Sequence, residues 1–185
     1  VSSGFRKVVL EADRDLEGDG KAEDVIVDPM EIAVAGNGRV FFVERAGRVR
    51  VLDPRSQITT TLASLVVSSE MEDGLLGITL DPRFESNAWI YLFYAEPETH
   101  FDATGHKVGT NRVSRFTLTG DALDLTSEKV LLRIPTQREQ CCHSGGSLAF
   151  DAAGNLYASV GDNTHPGESD GYSPIDERTD RGPWN

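Results

Sequence analysis

Ser147-Leu-Ala-Phe-Asp-Ala-Ala-Gly-Asn-Leu-Tyr-Ala-Ser-Val160, entered through Gln140-Cys-Cys-His-Ser-Gly-Gly146, reads as a strand, an Asp/Gly turn and a second strand. The same unit occurs twice upstream. Ile78-Thr-Leu-Asp-Pro-Arg-Phe-Glu-Ser-Asn-Ala-Trp-Ile-Tyr-Leu-Phe-Tyr94 is strand, Asp-rich turn, strand. Ile32-Ala-Val-Ala, Gly36-Asn-Gly38 and Val40-Phe-Phe-Val43 are two β-runs across a glycine turn. Arg48–Leu52 alternates polar and apolar residues, as a half-buried strand should, and Arg112–Leu118 is another alternating strand. Helix signals are weak throughout, so the expected class is all-β.

Aligned on Val34, Leu80 and Phe150, the copies stand 46 and 70 residues apart. The first interval is that of a β-propeller blade, and the second is a blade enlarged by an insertion over residues 96–111. The expectation is about two and a half blades. A sandwich of meandering hairpins is the competing architecture. Because so few blades leave an apolar face and sheet edges uncovered, the chain is expected to be a piece of something longer. Its first residue, Val1, and its last, Asn185, fit that expectation.

Bulk composition narrows the functional classes. Lys+Arg 18 against Asp+Glu 30 gives a net charge of -12, with no basic cluster, so nucleic acid and anionic lipid are poor partners. Apolar runs such as Leu62–Val67, interrupted by a serine, are far too short to span a membrane. Two cysteines make no disulfide framework, but Cys141 and Cys142 are adjacent. A vicinal disulfide between them would suit an oxidising compartment; a pair of reduced thiols is the alternative.

Four groups of residues could carry chemistry. His143 stands at a strand entrance, where an imidazole can act as general base or merely hold a loop by hydrogen bonding. Glu70-Met-Glu-Asp-Gly-Leu-Leu-Gly77 precedes the second-copy strand as Cys-Cys-His-Ser-Gly-Gly precedes the third. Both segments are expected to open on one face, bringing Glu72, with its neighbour Asp73, and His143 toward one bound molecule. Asp15, Glu17, Asp19 and Glu23 have the alternation of a calcium loop around Gly20, although Ile26 falls where the loop's final glutamate belongs. A solvated acidic connector is the competing account of residues 1–27. His100, Asp102 and His106 could in principle hold zinc, but their polar loop favours plain solvation.

Asp28-Pro-Met-Glu-Ile-Ala-Val-Ala, Glu72-Asp-Gly-Leu-Leu-Gly-Ile-Thr-Leu-Asp-Pro-Arg-Phe and His143-Ser-Gly-Gly-Ser-Leu-Ala-Phe together resemble the glucose/sorbosone dehydrogenase family. The resemblance runs from about Asp28 to Asp162, and residues 28–185 are expected to be the N-terminal part of its propeller. It implies a six-bladed β-propeller and a soluble aldose dehydrogenase dependent on pyrroloquinoline quinone (PQQ). It further implies His143 as catalytic base, with Glu72 and Asp73 near cofactor and substrate. The implied partners are a sugar or alditol and an external electron acceptor. The segments Gln137–His143 and Ser173–Arg178 look closest to secreted bacterial members, so a secreted or periplasmic location is expected. Two positions depart from the glucose oxidisers, which carry glutamine where Glu72 stands and aspartate where Cys142 stands. The family's cofactor-gripping basic residues and calcium ligands lie in later blades, so the chain alone is expected to be inactive. Two other readings remain: a non-catalytic propeller that binds a carbohydrate or protein, and a calcium-dependent lactonase-like propeller suggested by the acidic loop.

Overall fold

The computed structural model describes residues 25–139, 141 and 143–161, with positions 4, 7, 9, 10, 19 and 20 ahead of them. Three antiparallel sheets follow one another along the chain. The first contains β1 (Pro29–Val34), β2 (Val40–Glu44), β3 (Arg48–Asp53) and β4 (Ile58–Ser64), in that spatial order. A short helix, α1 (Phe84–Asn87), fills the turn between β5 (Leu75–Leu80) and β6 (Trp89–Ala95). The second sheet continues with β7 (His100–Phe101), β8 (Lys107–Thr119) and β9 (Ala122–Gln137). Its main path is β5-β6-β8-β9, again a four-stranded meander, and β7 is a spur paired to the start of β8. The third sheet begins with the hairpin of β10 (Gly145–Phe150) and β11 (Leu156–Val160). These are two propeller blades and the first half of a third.

Strand β6 explains why the sheets stack. Its sequence, Trp-Ile-Tyr-Leu-Phe-Tyr-Ala, is apolar on both faces because both faces are covered. Ile90, Leu92 and Tyr94 join Phe41, Val43, Val49, Val51 and Phe84 in the core between the first two blades. Tyr91 and Phe93 point the other way, into a second core with Leu76, Val113 and Leu148. Edge-on ring contacts pin each interface: Phe41 to Phe84 at 5.3 Å and Tyr91 to Phe150 at 5.1 Å between centroids. On β1 the alternate row Met30, Ile32 and Val34 is exposed, at 44%, 61% and 62%.

Several elements differ from the sequence reading. Strand β3 is not half-buried, because Arg50 is buried and paired with the fully buried Glu44 at 3.1 Å, donating also to Val25 O at 2.9 Å. Charge in a strand suggests exposure, whereas ion pairing carries it inside here. Strands β4 and β9 have no counterpart in the sequence reading. Ile58-Thr-Thr-Thr-Leu62 and the charged run ending at Gln137 lack a clean alternation, and each sits at the outer edge of its blade.

The insertion is the β7–β8 hairpin rather than an unstructured loop. Asp102 accepts the backbone N–H groups of Thr104 and His106, closing its tip. His106 Nδ1 lies 2.9 Å from Glu139 Oε2, and Glu139 Oε1 accepts the Lys107 N–H at 2.8 Å. Hydrogen bonding and charge from Glu139 raise the His106 pKa above its ordinary 6.5. The Lys107 N–H and then His106 lower that of Glu139 below its ordinary 4.5. The His106 contribution is therefore complete below 6.5 and lost as pH climbs through a higher value. That of Glu139 is complete above 4.5 and lost as pH falls through a lower one. Amide exchange at residues 102–107 is expected to be slower at about pH 5.5 than at about pH 8.5, after correction for intrinsic rates. Equal protection at both would remove the pair's role.

Candidate functional site

The loops that enter β1, β5 and β10 meet at one end of the blades. Asp28, Met71 and His143 each stand in such a loop with a positive φ, at 46°, 52° and 60°. Non-glycine residues held there cost roughly 1–3 kcal/mol each and are kept only where the surroundings over-determine them. Those surroundings are specific. Arg45 follows the last residue of β2 and donates through Nη1 to Ser69 O at 2.8 Å and Met71 O at 3.2 Å. Its Nη2 lies 3.4 Å from Asp28 Oδ2, and its backbone N–H donates to Asp28 O at 3.0 Å. One guanidinium thus ties the first entry loop to the second.

The second loop is tied to the third by Glu72, whose Oε2 accepts the backbone N–H of His143 at 2.6 Å. The two residues are 71 positions apart in sequence. An open cleft of about 580 Å³ lies over this junction, lined by Asp28, Arg45, Met71, Glu72, Ser144 and Gly145 among others. His143 is half-buried and stands one residue outside that lining. The expected approach of Glu72 and His143 is therefore a direct contact, made through the histidine backbone.

Asp73 sits differently from its neighbour. It is 6% exposed, turned into the wall, where Oδ1 lies 2.6 Å from Arg138 Nη1 and accepts the Ser144 hydroxyl at 3.1 Å. Burial pushes its carboxyl above the ordinary range, against the pull of Arg138. Burial likewise lowers Arg138 against the pull of Asp73. Asp73 supports the site from behind and does not face the cleft.

The glycines of both entry segments are dictated by close backbone approach. A Cβ on Gly77 would fall 1.9 Å from Gly146 O, and one on Gly146 would fall 2.7 Å from the Leu76 Cβ. Strands β5 and β10 touch there with no room for a side chain. Glu31 on β1 links all three sheets, accepting the Ile78 N–H at 2.8 Å and the Ser147 hydroxyl.

Arg45, Arg138 and Glu31 are absent from the sequence reading. Glu31 leaves a faint signal, a lone acid in the otherwise apolar strand Met30-Glu-Ile-Ala-Val34. The two arginines leave none, since their partners are main-chain carbonyls and residues distant in sequence.

Cys141 is disulfide-bonded, and no cysteine among the described residues is free. Cys142, the chain's other cysteine, lies outside the described residues. So do Asp15, Glu17 and Glu23 of the expected calcium loop; Asp19 alone is described. Among the described residues no cluster of three or more His, Cys, Asp or Glu could hold a metal, so His100, Asp102 and His106 form no zinc site. Among the same residues no helix is long and apolar enough to cross a membrane.

Comparison with known proteins agrees with this architecture. An uncharacterized protein of Synechocystis sp. is 28% identical over 152 residues, covering 77% of this chain and 35% of its own length. Human Hedgehog-interacting protein is 27% identical over 137 residues, covering 69% of the chain and 19% of its own length. Among solved structures, a Thermus thermophilus putative oxidoreductase (glucose dehydrogenase) superposes with a TM-score of 0.60 at 32% identity. The match covers 74% of this chain and 38% of that protein. The PQQ-bound aldose sugar dehydrogenase of Streptomyces coelicolor gives a TM-score of 0.61 at 25% identity, covering 78% and 41%. This chain thus spans well under half the length of each of these relatives. Residues 26–178 match the Glucose / Sorbosone dehydrogenase family model, and the chain belongs to that family.

Proposed function

We propose that this chain is the N-terminal part of a PQQ-dependent sugar dehydrogenase, with His143 as general base. The observation that carries the reading is the contact between Glu72 Oε2 and the His143 N–H at the head of two inner strands, beside an open cleft. It adds a specific pairing to membership of a family whose solved relatives include a PQQ-bound sugar dehydrogenase.

The chemistry follows from the donor set. Arg45 lines the cleft but spends its donors on main-chain carbonyls and Asp28. The described face therefore offers His143 and Glu72 to a hydroxyl-bearing substrate, and residues outside it would hold the carboxylates of PQQ. When bound, PQQ supplies the hydride acceptor. A sugar hydroxyl loses its proton to an imidazole nitrogen of His143 as its carbon gives up hydride. Glu72 holds the His143 backbone so that this proton acceptor keeps its place at the mouth. An external electron acceptor is the further partner this reading requires.

The location proposed is secreted or periplasmic, because an oxidising compartment preserves the Cys141 disulfide. Calcium in the loop from Asp15 to Glu23 is proposed on ligand spacing alone.

The test uses the full-length protein. PQQ is titrated by fluorescence quenching with and without calcium, and dye-linked oxidation is measured on a panel of aldoses and alditols. Saturable binding at micromolar PQQ with sugar-dependent dye reduction is expected; absence of both would sink the reading. The second reading, a propeller that recognises a protein or carbohydrate without redox chemistry, draws on the likeness to Hedgehog-interacting protein. It predicts neither PQQ binding nor turnover.

A further inference from the structure

Arg138 takes no part in that chemistry, yet its side chain ends beneath the cleft. It follows β9 directly, and its backbone N–H donates to Lys107 O at 2.9 Å. Its side chain is 4% exposed and crosses the start of β8, where Nη2 donates to Thr110 O at 3.2 Å and to Asn111 Oδ1 at 3.0 Å. Nη1 then reaches Asp73 Oδ1, the same oxygen that accepts the Ser144 hydroxyl. Asp73 is covalently next to Glu72, and Ser144 is covalently next to His143. A guanidinium anchored on the second blade therefore ends at a carboxylate from which both functional loops hang.

A buried ion pair is weak grounds for stability, since well-packed apolar residues of like volume often serve the fold as well or better. What apolar residues do not supply is direction. The planar guanidinium is fixed by two acceptors on β8, which hold its Nη1 against one carboxylate oxygen as an ion pair. That oxygen fixes the Ser144 hydroxyl, while the adjacent N–H of His143 is fixed by Glu72. Misplacing a reacting group by about 1 Å can cost on the order of 100-fold in rate.

We propose that Arg138, Asp73 and Ser144 form a buried positioning relay that sets the separation and orientation of Glu72 and His143 across the gap between the second and third blades. The relay acts through those two residues: Arg138 and Asp73 stay out of the cleft, and Ser144 alone reaches its lining. Its consequence for turnover rests on the dehydrogenase reading; its control of the two loops does not.

The experiment compares wild-type full-length protein with Ser144→Ala, Arg138→Lys and the double variant Asp73→Leu/Arg138→Met. Two quantities are read: kcat and KM with PQQ, and hydrogen exchange in peptides covering 69–75 and 141–147. The double variant removes the pair without leaving a lone buried charge, so it is expected to fold with a thermal midpoint near that of wild type. Its kcat is expected to fall roughly 10- to 100-fold with KM little changed, and the 141–147 amides to exchange about tenfold faster or more. Ser144→Ala, which removes only a hydroxyl, shows the same pattern in milder form and serves should the double variant fail to fold. Arg138→Lys keeps the charge without the fixed fork and falls between wild type and the double variant. The two failures are separable. A wild-type protein inert with PQQ sinks the dehydrogenase reading, whereas wild-type exchange at 141–147 in both Ser144→Ala and the double variant sinks the relay, whatever the turnover.

Discussion

Full-length protein carrying His143→Asn is expected to lose roughly 10²- to 10⁴-fold in dye-linked kcat, the range over which a positioned general base contributes. Asparagine is the informative substitution. It tolerates the left-handed backbone that His143 occupies at φ 60°, keeps the N–H that Glu72 accepts, and cannot take up a proton. Alanine would add backbone strain and blur the result. PQQ binding should stay nearly unchanged, because no cofactor grip is assigned to His143. A variant with wild-type kcat would remove the histidine from the chemistry.

The largest structural effect is expected at Gly77. In Gly77→Ala the new methyl carbon would have to coexist with Gly146 O at 1.9 Å, and the obstacle is backbone, which cannot swing aside as a side chain can. Strands β5 and β10 must part, opening the core of Leu76, Phe93 and Leu148 beneath them. Overpacking of this kind costs about 3 kcal/mol or more, a large share of the stability of an ordinary domain. The measurement is a denaturant midpoint against Gly36→Ala, whose methyl meets only the Glu85 carboxylate, the far end of a flexible side chain, at 3.4 Å. The control should stay within about 0.5 kcal/mol of wild type. Two variants of equal stability would show that the strand contact yields without cost.

The architecture is legible in the sequence because period-2 patterns and Asp/Gly turns are local signals. The unit from Ile78 to Tyr94 announces a hairpin whatever surrounds it, and three copies give blades. The outer strands are not legible, because the apolar residues of β4 and β9, such as Leu62 and Leu123, follow no period-2 alternation. Within the site, the resemblance brings Glu72 and His143 to notice, and the parallel placing of their segments brings them together. It cannot say that the contact runs through the histidine's main chain. Nor can it separate Glu72 from Asp73, adjacent acids of which one meets the cleft and the other turns into the wall. That sorting depends on Arg138, whose reach across β8 to Asp73 is a tertiary fact without a local pattern.

Glu31 has a consequence for how the molecule assembles. Its two acceptor contacts close loops of very different length, 47 residues to Ile78 and 116 to Ser147. Closing the longer loop in an unfolded chain is entropically the harder step, and the intervening sheet shortens it once formed. The carboxylate thus favours an order in which the first sheet captures the second, the shorter closure, ahead of its own contact with Ser147.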